Sequence, residues 1–161
     1  MEVRFKMSFI YAPVLAAKRG EFKALEQLTP SISECVLPLF ELPAKKKDAT
    51  LHEKRINRTA INAAKIWGGR QALLDTSKWS SNAQTESGIH VLEYAFRQFI
   101  SCGTYVHPII GYDRWEDPVY SQAIRNICKS YDVKPCIRID REALHEDLLD
   151  FDYFEGRITA I

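Results

Sequence analysis

The chain has 161 residues, of which 46% are hydrophobic and 27% charged, and its 22 basic and 21 acidic residues give a net charge of +1. This length suits a single domain, predicted to span residues 1–161, and the composition is that of a globular protein. The near balance of basic and acidic residues argues against a dedicated nucleic-acid binder. No apolar run approaches the roughly 20 residues that are needed to cross a bilayer.

Apolar runs of strand length alternate along the chain with longer segments of helical periodicity. Strands are predicted at residues 9–15, 36–42, 70–75, 105–110, 134–139 and 157–161. Helices are predicted at residues 21–28, 51–67, 86–102 and 118–131, and a short one follows Asp140, which can cap it. This alternation indicates βαβ crossovers and a parallel sheet.

Crossovers of this kind leave two topologies, a (β/α) barrel and an open doubly wound sheet. The open nucleotide-binding sheet carries glycine-rich phosphate loops, and neither GxGxxG nor GxxxxGK[ST] occurs here. Polar residues instead end or follow several strands, as in barrel enzymes: Glu41, Asp75, Asp113 and Asp140. We therefore predict an α/β fold of consecutive βα units with a partial, barrel-like parallel sheet, and keep the doubly wound sheet as the alternative.

A complete eight-unit barrel takes about 250 residues, whereas five units and a strand are present here. The sequence ends on the apolar run RITAI, residues 157–161. An open barrel edge would expose unpaired backbone groups and apolar surface. We expect this edge to be covered by self-association or by a protein partner.

The four cysteines form no CxxC pair and so match no zinc-binding pattern. No signal peptide is recognisable, and we expect a cytoplasmic protein without disulfides.

Charged residues near the predicted strand ends are the candidates for a site. Glu41 and Asp75 each follow wholly apolar strand residues, where a carboxylate must be solvated, paired or bound to metal. Neighbouring parallel strands lie about 4.8 Å apart, so both carboxylates could reach one ligand. They are the candidate catalytic pair. No cofactor is assigned; if a metal binds, we expect Mg²⁺ on these two carboxylates.

Four further residues are candidates for ligand binding: Lys18, Lys78, His107 and Arg138. Lys18 and Lys78 could supply charge for an anion, although Lys18 could equally pair with Glu21 or Glu41. His107, a lone histidine in an apolar strand, is more typical of a hydrogen-bonded core residue. Arg138 alternates with two isoleucines, so it should point into the barrel and pair with Glu41, Asp75 or Asp140.

One compact basic run, Lys45 to Lys47, is followed by Lys54, Arg55 and Arg58. It suits a solvated loop and an exposed helix face, with a phosphate-binding or nucleic-acid role as the alternative.

Two motifs carry a resemblance to a known family. The segment YAPVLAAKRGE begins at Tyr11, and PLFE begins at Pro38; looser similarity runs through Leu74-Asp75 and His107-Pro108. Together they resemble the opening of the phage beta-protein family, found in phages, prophages and mobile islands. The resemblance implies a barrel-like α/β fold and a setting in phage–host conflict. It also implies that this chain corresponds to the N-terminal half of the family's usual length.

Two hypotheses of function follow. The first is a non-catalytic phage or prophage protein that docks to another protein. The second is a metal-assisted barrel hydrolase acting on a phosphate-containing substrate, with Glu41 and Asp75 for metal or proton transfer and Lys18 and Arg138 for the anion. Convergence of these groups in an open pocket would favour the hydrolase, whereas a closed network of mutual neutralisation would count against it.

Overall fold

The computed structural model describes residues 11–43 and 51–161. The first residues of the predicted strand 9–15, and Lys45 to Lys47, lie outside these ranges. Five strands are present in the described part: β1 Val14–Leu15, β2 Leu39–Glu41, β3 Gln71–Asp75, β4 Tyr105–Gly111 and β5 Cys136–Arg138. The helices are α1 Arg19–Glu26, α2 Pro30–Ser33, α3 His52–Trp67, α4 Val91–Ser101, α5 Pro118–Tyr131, α6 Arg141–Glu146 and α7 Phe151–Ala160.

The five strands form one sheet in the order β1-β2-β3-β4-β5, and every neighbouring pair is parallel. This confirms the predicted α/β fold with its all-parallel sheet. The strand order in the sheet follows the chain order without a reversal. A doubly wound sheet is defined by such a reversal, so this alternative topology is not the one that forms. Because β1 and β5 are the outer strands of the described sheet, closure into a barrel stays a prediction.

The main core lies between one face of the sheet and four helices. Phe40, Leu74 and Ile110, from three neighbouring strands, are all at most 1% exposed. They join buried side chains of α1, α3, α4 and α5 in one cluster. Since side chains alternate along a strand, the residues next to them point to the opposite face, where Leu37, Leu39, Leu73 and Ile109 form a second, smaller cluster.

The ladder between β1 and β2 is shorter than the predicted strands 9–15 and 36–42. Backbone hydrogen bonds extend beyond the named strands, from Leu37 to Tyr11 (2.9 Å) and from Leu39 to Pro13 (2.9 Å). Pro13 and Pro38 interrupt the regular pattern because proline has no N–H to donate to a neighbouring strand.

The predicted strand at 157–161 is wrong, because these residues belong to α7 and its end. Asp150 caps this helix by accepting a hydrogen bond from the Tyr153 N–H at 3.1 Å. Phe154 stacks on Tyr112, and the Arg157 guanidinium lies 4.4 Å from the centre of the same ring. Five apolar-rich residues suit either a strand or a helix, so periodicity alone could not decide between them.

The predicted helix at 86–102 starts only at Val91. Residues 80–90 form turns instead, closed by hydrogen bonds from Thr85 to Ile89 (2.9 Å) and from Val91 to Ala83 (2.9 Å). Gly88 has a φ of +73°, which a helix does not allow.

These turns place Glu86 beside the start of α3. Leu51, at the cap position, provides no side-chain acceptor. The Glu86 carboxylate accepts hydrogen bonds from the backbone N–H groups of His52 and, at 3.0 Å, Glu53. The Glu53 carboxylate in turn accepts from the Ser87 N–H at 2.9 Å. A carboxylate 34 residues away therefore accepts hydrogen bonds from two of the free donors of this helix end.

This arrangement predicts an acid-sensitive contribution to stability. Desolvation raises the pKa of Glu86, but hydrogen bonds from backbone N–H groups outweigh it and hold the pKa below its ordinary 4.5. A carboxyl with a lower pKa in the folded state stabilises the fold above pH 4.5 and loses that effect as the pH falls through the folded-state pKa. We expect Glu86→Ala to lower the free energy of unfolding by about 1 kcal/mol at pH 7.

Urea unfolding at pH 7 and at pH 3 measures this effect, and the difference between Glu86→Ala and the unmodified chain should shrink at the lower pH. Gln84→Ala, in the same turn and exposed, is the control. A Glu86→Ala loss that is the same at both pH values would contradict the capping role.

Candidate functional site

The carboxyl ends of β2, β3 and β5 bring three charged side chains together. Glu41 and Asp75 are register partners at the ends of β2 and β3, and Arg138 ends β5 opposite Gly111. All three lie on the sheet face away from the main core. Arg138 Nη1 lies 3.1 Å from a Glu41 carboxylate oxygen and also donates to Asp75. The predicted pairing of Arg138 with carboxylates is thus what the structure has. Its side chain lies on the sheet face away from the main core, and a barrel interior on that face stays a prediction.

The loop after β3 adds two more groups. The Ser77 hydroxyl donates to Glu41 at 3.0 Å, and the Ser77 N–H donates to Asp75 at 2.8 Å. Lys78 Nζ lies 3.7 Å from the other Glu41 oxygen. We call Glu41, Asp75, Ser77, Lys78 and Arg138 the rim network.

The chemistry open to the rim network depends on how buried and how charged its side chains are. The Asp75 and Glu41 side chains are 3% and 10% exposed, against 35% for Arg138 and 57% for Lys78. Desolvation lowers the pKa of Arg138, but hydrogen bonds with Asp75 and Glu41 outweigh it and raise the pKa above its ordinary value. Two carboxylates thus face two cations, and the buried negative charges are neutralised within the network.

The model of the Beta protein family matches residues 11–151. The chain belongs to the beta-protein family. Comparisons with curated proteins and with solved structures gave no match. The resemblance in the two N-terminal motifs is therefore confirmed at the level of family membership.

The positions shared with the beta-protein motifs separate in space into two groups. Glu41 and Asp75 lie in the rim network. Lys18 is exposed at the start of α1, where its backbone N–H donates to the Glu21 carboxylate at 3.2 Å. This bond, rather than an ion pair between the two side chains, is what the structure gives for Lys18 and Glu21. Within the described residues, Lys18 makes no contact with the rim network.

His107 lies on the same sheet face as the rim network but nearer the start of its strand. Its Nδ1 is 3.0 Å from the Lys134 carbonyl oxygen. This is the hydrogen-bonded strand histidine that the sequence favoured over a ligand-binding one. Of the six predicted site residues in this beta-family chain, four converge: Glu41, Asp75, Lys78 and Arg138.

Two residues of the site, Ser77 and Arg114, were not among the six predicted site residues. The Arg114 side chain, 17% exposed, donates to the carbonyl oxygens of Thr76 (3.3 Å), Trp79 (2.8 Å) and Ser77. It thereby fixes the loop that carries Ser77 and Lys78. No local sequence signal marks it, because its partners are 35 to 38 residues away.

Removing the Arg114 guanidinium should loosen that loop. Arg114→Met keeps the apolar stem but loses three charged hydrogen bonds, so we expect the free energy of unfolding to fall by about 2 kcal/mol. Amide hydrogen exchange at Ser77 should also accelerate. Arg97→Met, at an exposed position of α4, is the matched control. Unchanged exchange at Ser77 would contradict the anchoring role.

The described residues contain no group of three or more His, Cys, Asp or Glu side chains placed to hold a metal ion. The carboxylates of Glu41 and Asp75 are occupied by Arg138 and Ser77. Mg²⁺ binding at this pair therefore stays a prediction, and it would require Arg138 to give up its place. Among the described helices, none is long and apolar enough to cross a bilayer.

A second candidate surface lies near the C-terminal end of the described chain. It consists of large apolar side chains that are exposed on α6, on the 3-10 turn Asp147–Leu149 and on α7. We call it the C-terminal apolar patch: Leu144 (47% exposed), Leu148 (41%), Leu149 (88%), Phe151 (63%) and Tyr153 (50%). Both helices contact the turn between them, so these side chains belong to one folded segment.

Proposed function

We propose that this beta-family protein acts by binding another protein through its C-terminal apolar patch, in the setting of phage–host conflict that the family resemblance implies. The observation that carries the proposal is the exposure of Leu149 and Phe151, at 88% and 63%. Several large apolar side chains exposed on one folded segment are typical of an interaction site. The large apolar side chains then supply the binding energy when the partner excludes water from them.

The charge around the patch indicates what kind of partner fits. Residues 140–155 contain seven acidic residues and one arginine, a formal charge of −6, whereas the whole chain carries +1. A partner with a basic rim around an apolar pocket would complement this segment. Two copies meeting through the same patch would bring like charges together, which disfavours self-association at this surface.

The rim network supports a role without catalysis. Its buried carboxylates are neutralised by Arg138 and hydrogen-bonded by Ser77, so they are not presented as a free pair. In this interpretation the network has a structural role, because it links the ends of β2, β3 and β5.

The experiment compares three forms of the purified chain as bait in host lysate: unmodified, Leu149→Ser with Phe151→Ser, and Ile32→Ser. Ile32 is 52% exposed on α2 and controls for the loss of exposed apolar surface elsewhere. A captured protein is then purified and titrated against each form. The proposal predicts a direct complex with the unmodified and Ile32→Ser forms that weakens at least tenfold in the patch variant.

Charge complementarity also predicts how the affinity of the same complex depends on salt concentration. Its affinity should fall as the salt concentration rises from 50 to 300 mM, since screening weakens attraction to the acidic segment. A complex that forms equally well with the patch variant would overturn the proposal, as would purified candidates that all fail to bind the unmodified chain.

The second candidate function is the metal-assisted hydrolase of phosphate-containing substrates. The observation in its favour is the convergence of Glu41, Asp75, Lys78 and Arg138 at the carboxyl end of parallel strands, where barrel enzymes hold their sites. A phosphatase and nuclease screen with Mg²⁺ or Mn²⁺ tests it. Activity lost in the Glu41→Ala, Asp75→Ala double variant would support the hydrolase, and activity that survives would exclude this site.

A further inference from the structure

A groove of about 590 Å³ lies along the first turns of α3. Its lining includes two large apolar side chains, Leu51 and Ile61, which are 55% and 47% exposed. Lys54 and Arg58 also line the groove, and both are exposed. The groove, which we call the α3 groove, therefore combines apolar surface with basic side chains at its rim.

The basic side chains continue along one face of α3. Lys54, Arg58, Ile61 and Lys65 follow one another at intervals of three or four residues, so they project from the same side of the helix, and all four are exposed. None of these three cations forms an ion pair with a carboxylate in residues 11–43 or 51–161. Residues 52–67 contain four basic residues and one acidic residue, a formal charge of +3.

Two carboxylates, Glu53 and Glu86, also line the α3 groove. Both accept hydrogen bonds from backbone N–H groups, Glu86 at the start of α3 and Glu53 in the facing turn. These donors, and the positive end of the helix dipole, offset part of the negative charge. The basic stripe therefore sets the sign of this face of the helix.

The C-terminal apolar patch has the opposite charge around its apolar side chains. Leu149 and Phe151 are its most exposed members, and residues 140–155 carry a formal charge of −6. Asp152 and Glu155, next to Phe151 and one turn after it, are exposed and form no ion pair among the described residues. An apolar surface with an acidic rim thus complements an apolar groove with a basic rim.

From this complementarity we propose that the α3 groove binds the C-terminal apolar patch of a second copy of this chain. The groove has room for the ring of Phe151, since pockets of roughly 300–1,000 Å³ hold whole drug-sized ligands. Two copies repel each other where patch meets patch, but patch against groove brings opposite charges together. The contact is head-to-tail, because it joins two different surfaces, and such contacts generate rings or open chains.

This inference rests on the proposed function, because the patch is the binding surface in both. It adds that a second copy occupies the patch until another partner displaces it. Access of that partner to the patch then depends on the concentration of the chain and of salt, since screening weakens the contact between copies.

Sedimentation velocity of the purified chain at increasing concentration tests the contact. We expect association that grows with concentration and weakens as salt rises from about 50 to 300 mM. The groove variant, Arg58→Glu with Ile61→Ser, should associate at least about tenfold more weakly, and so should the patch variant. The control is Arg97→Glu with Ile32→Ser, which makes the same exchanges at exposed positions of α4 and α2 and should associate like the unmodified chain.

A mixture of the two defective forms distinguishes a head-to-tail contact from a symmetric one. The groove variant keeps an intact patch, and the patch variant keeps an intact groove. Together they should form a dimer of one copy each, although each form alone stays monomeric. An unmodified chain that stays monomeric at low salt would overturn the inference, as would a mixture that does not dimerise when circular dichroism shows both variants to be folded.

The lysate experiment separates this inference from the proposed function. The groove variant should bind the captured protein at least as tightly as the unmodified chain does, because no second copy occupies its patch. A chain that is monomeric at low salt, yet binds the captured protein through its patch, would overturn the second copy as occupant and leave the proposed function standing. Self-association through the patch without binding to any purified candidate would do the reverse.

Discussion

Replacing Phe40 with alanine is expected to lower the free energy of unfolding by about 4 kcal/mol. Phe40 sits at the centre of β2, is fully buried, and contacts Phe22 and Phe99, with ring centres 5.6 and 5.9 Å away. The loss combines the transfer of a large apolar side chain with the cavity left between the sheet, α1 and α4. Urea denaturation followed by circular dichroism measures it.

Phe151→Ala removes the same side chain from a position that is 63% exposed, and we expect a change within about 0.5 kcal/mol. Phe40→Leu, which refills most of the space, should cost less than about 1.5 kcal/mol. A Phe40→Ala effect no larger than that of Phe151→Ala would mean that β2 does not lie at the centre of the core.

The second large effect is expected from Arg138→Met. This change leaves Asp75 and Glu41, whose side chains are 3% and 10% exposed, without their shared cation. Breaking a buried ion pair costs about 3–5 kcal/mol because an uncompensated charge remains. We expect about 3 kcal/mol, the lower end, because Arg138 itself is 35% exposed and partly screened by solvent.

Neutralising the whole group distinguishes lost charge balance from lost packing. The triple variant Arg138→Met, Glu41→Gln, Asp75→Asn should recover part of the stability, since both buried carboxylates are then neutral and the remaining cation, Lys78, is solvent-exposed. Arg141→Met, at an exposed position near the start of α6, is the control for removing an arginine. A triple variant less stable than Arg138→Met alone would contradict the electrostatic explanation.

The sequence contains enough information to predict the sheet and the charged residues at its strand ends. Alternation along β5 places Arg138 opposite to its neighbouring isoleucines, and parallel neighbours put Glu41 and Asp75 in register. Both follow from local periodicity and from the direction of the strands. The helix α5 was predicted over the residues that it occupies, 118–131, and its start is explained by Pro118, which suits the first turn of a helix.

Tertiary contacts decide what the sequence could not predict. Residues 157–161 are too few for a period, and their helix is held by contacts of Phe154 and Arg157 with Tyr112. The late start of α4 leaves Glu86 free to cap α3, a contact between distant segments. Lys18 was predicted at the site from its place after a strand, but α1 begins there and its side chain stays exposed.

A double-mutant cycle on Arg138 and Asp75 tests most directly that the strand ends of this parallel sheet meet in one closed charge network. Arg138→Met, Asp75→Asn and the double variant are unfolded in urea at pH 7, and the coupling free energy is calculated from the four stabilities. The structure predicts a coupling of about 2 kcal/mol in favour of the pair. A coupling within about 0.5 kcal/mol of zero would show that the two side chains do not interact, and would contradict both the network and the strand arrangement that creates it.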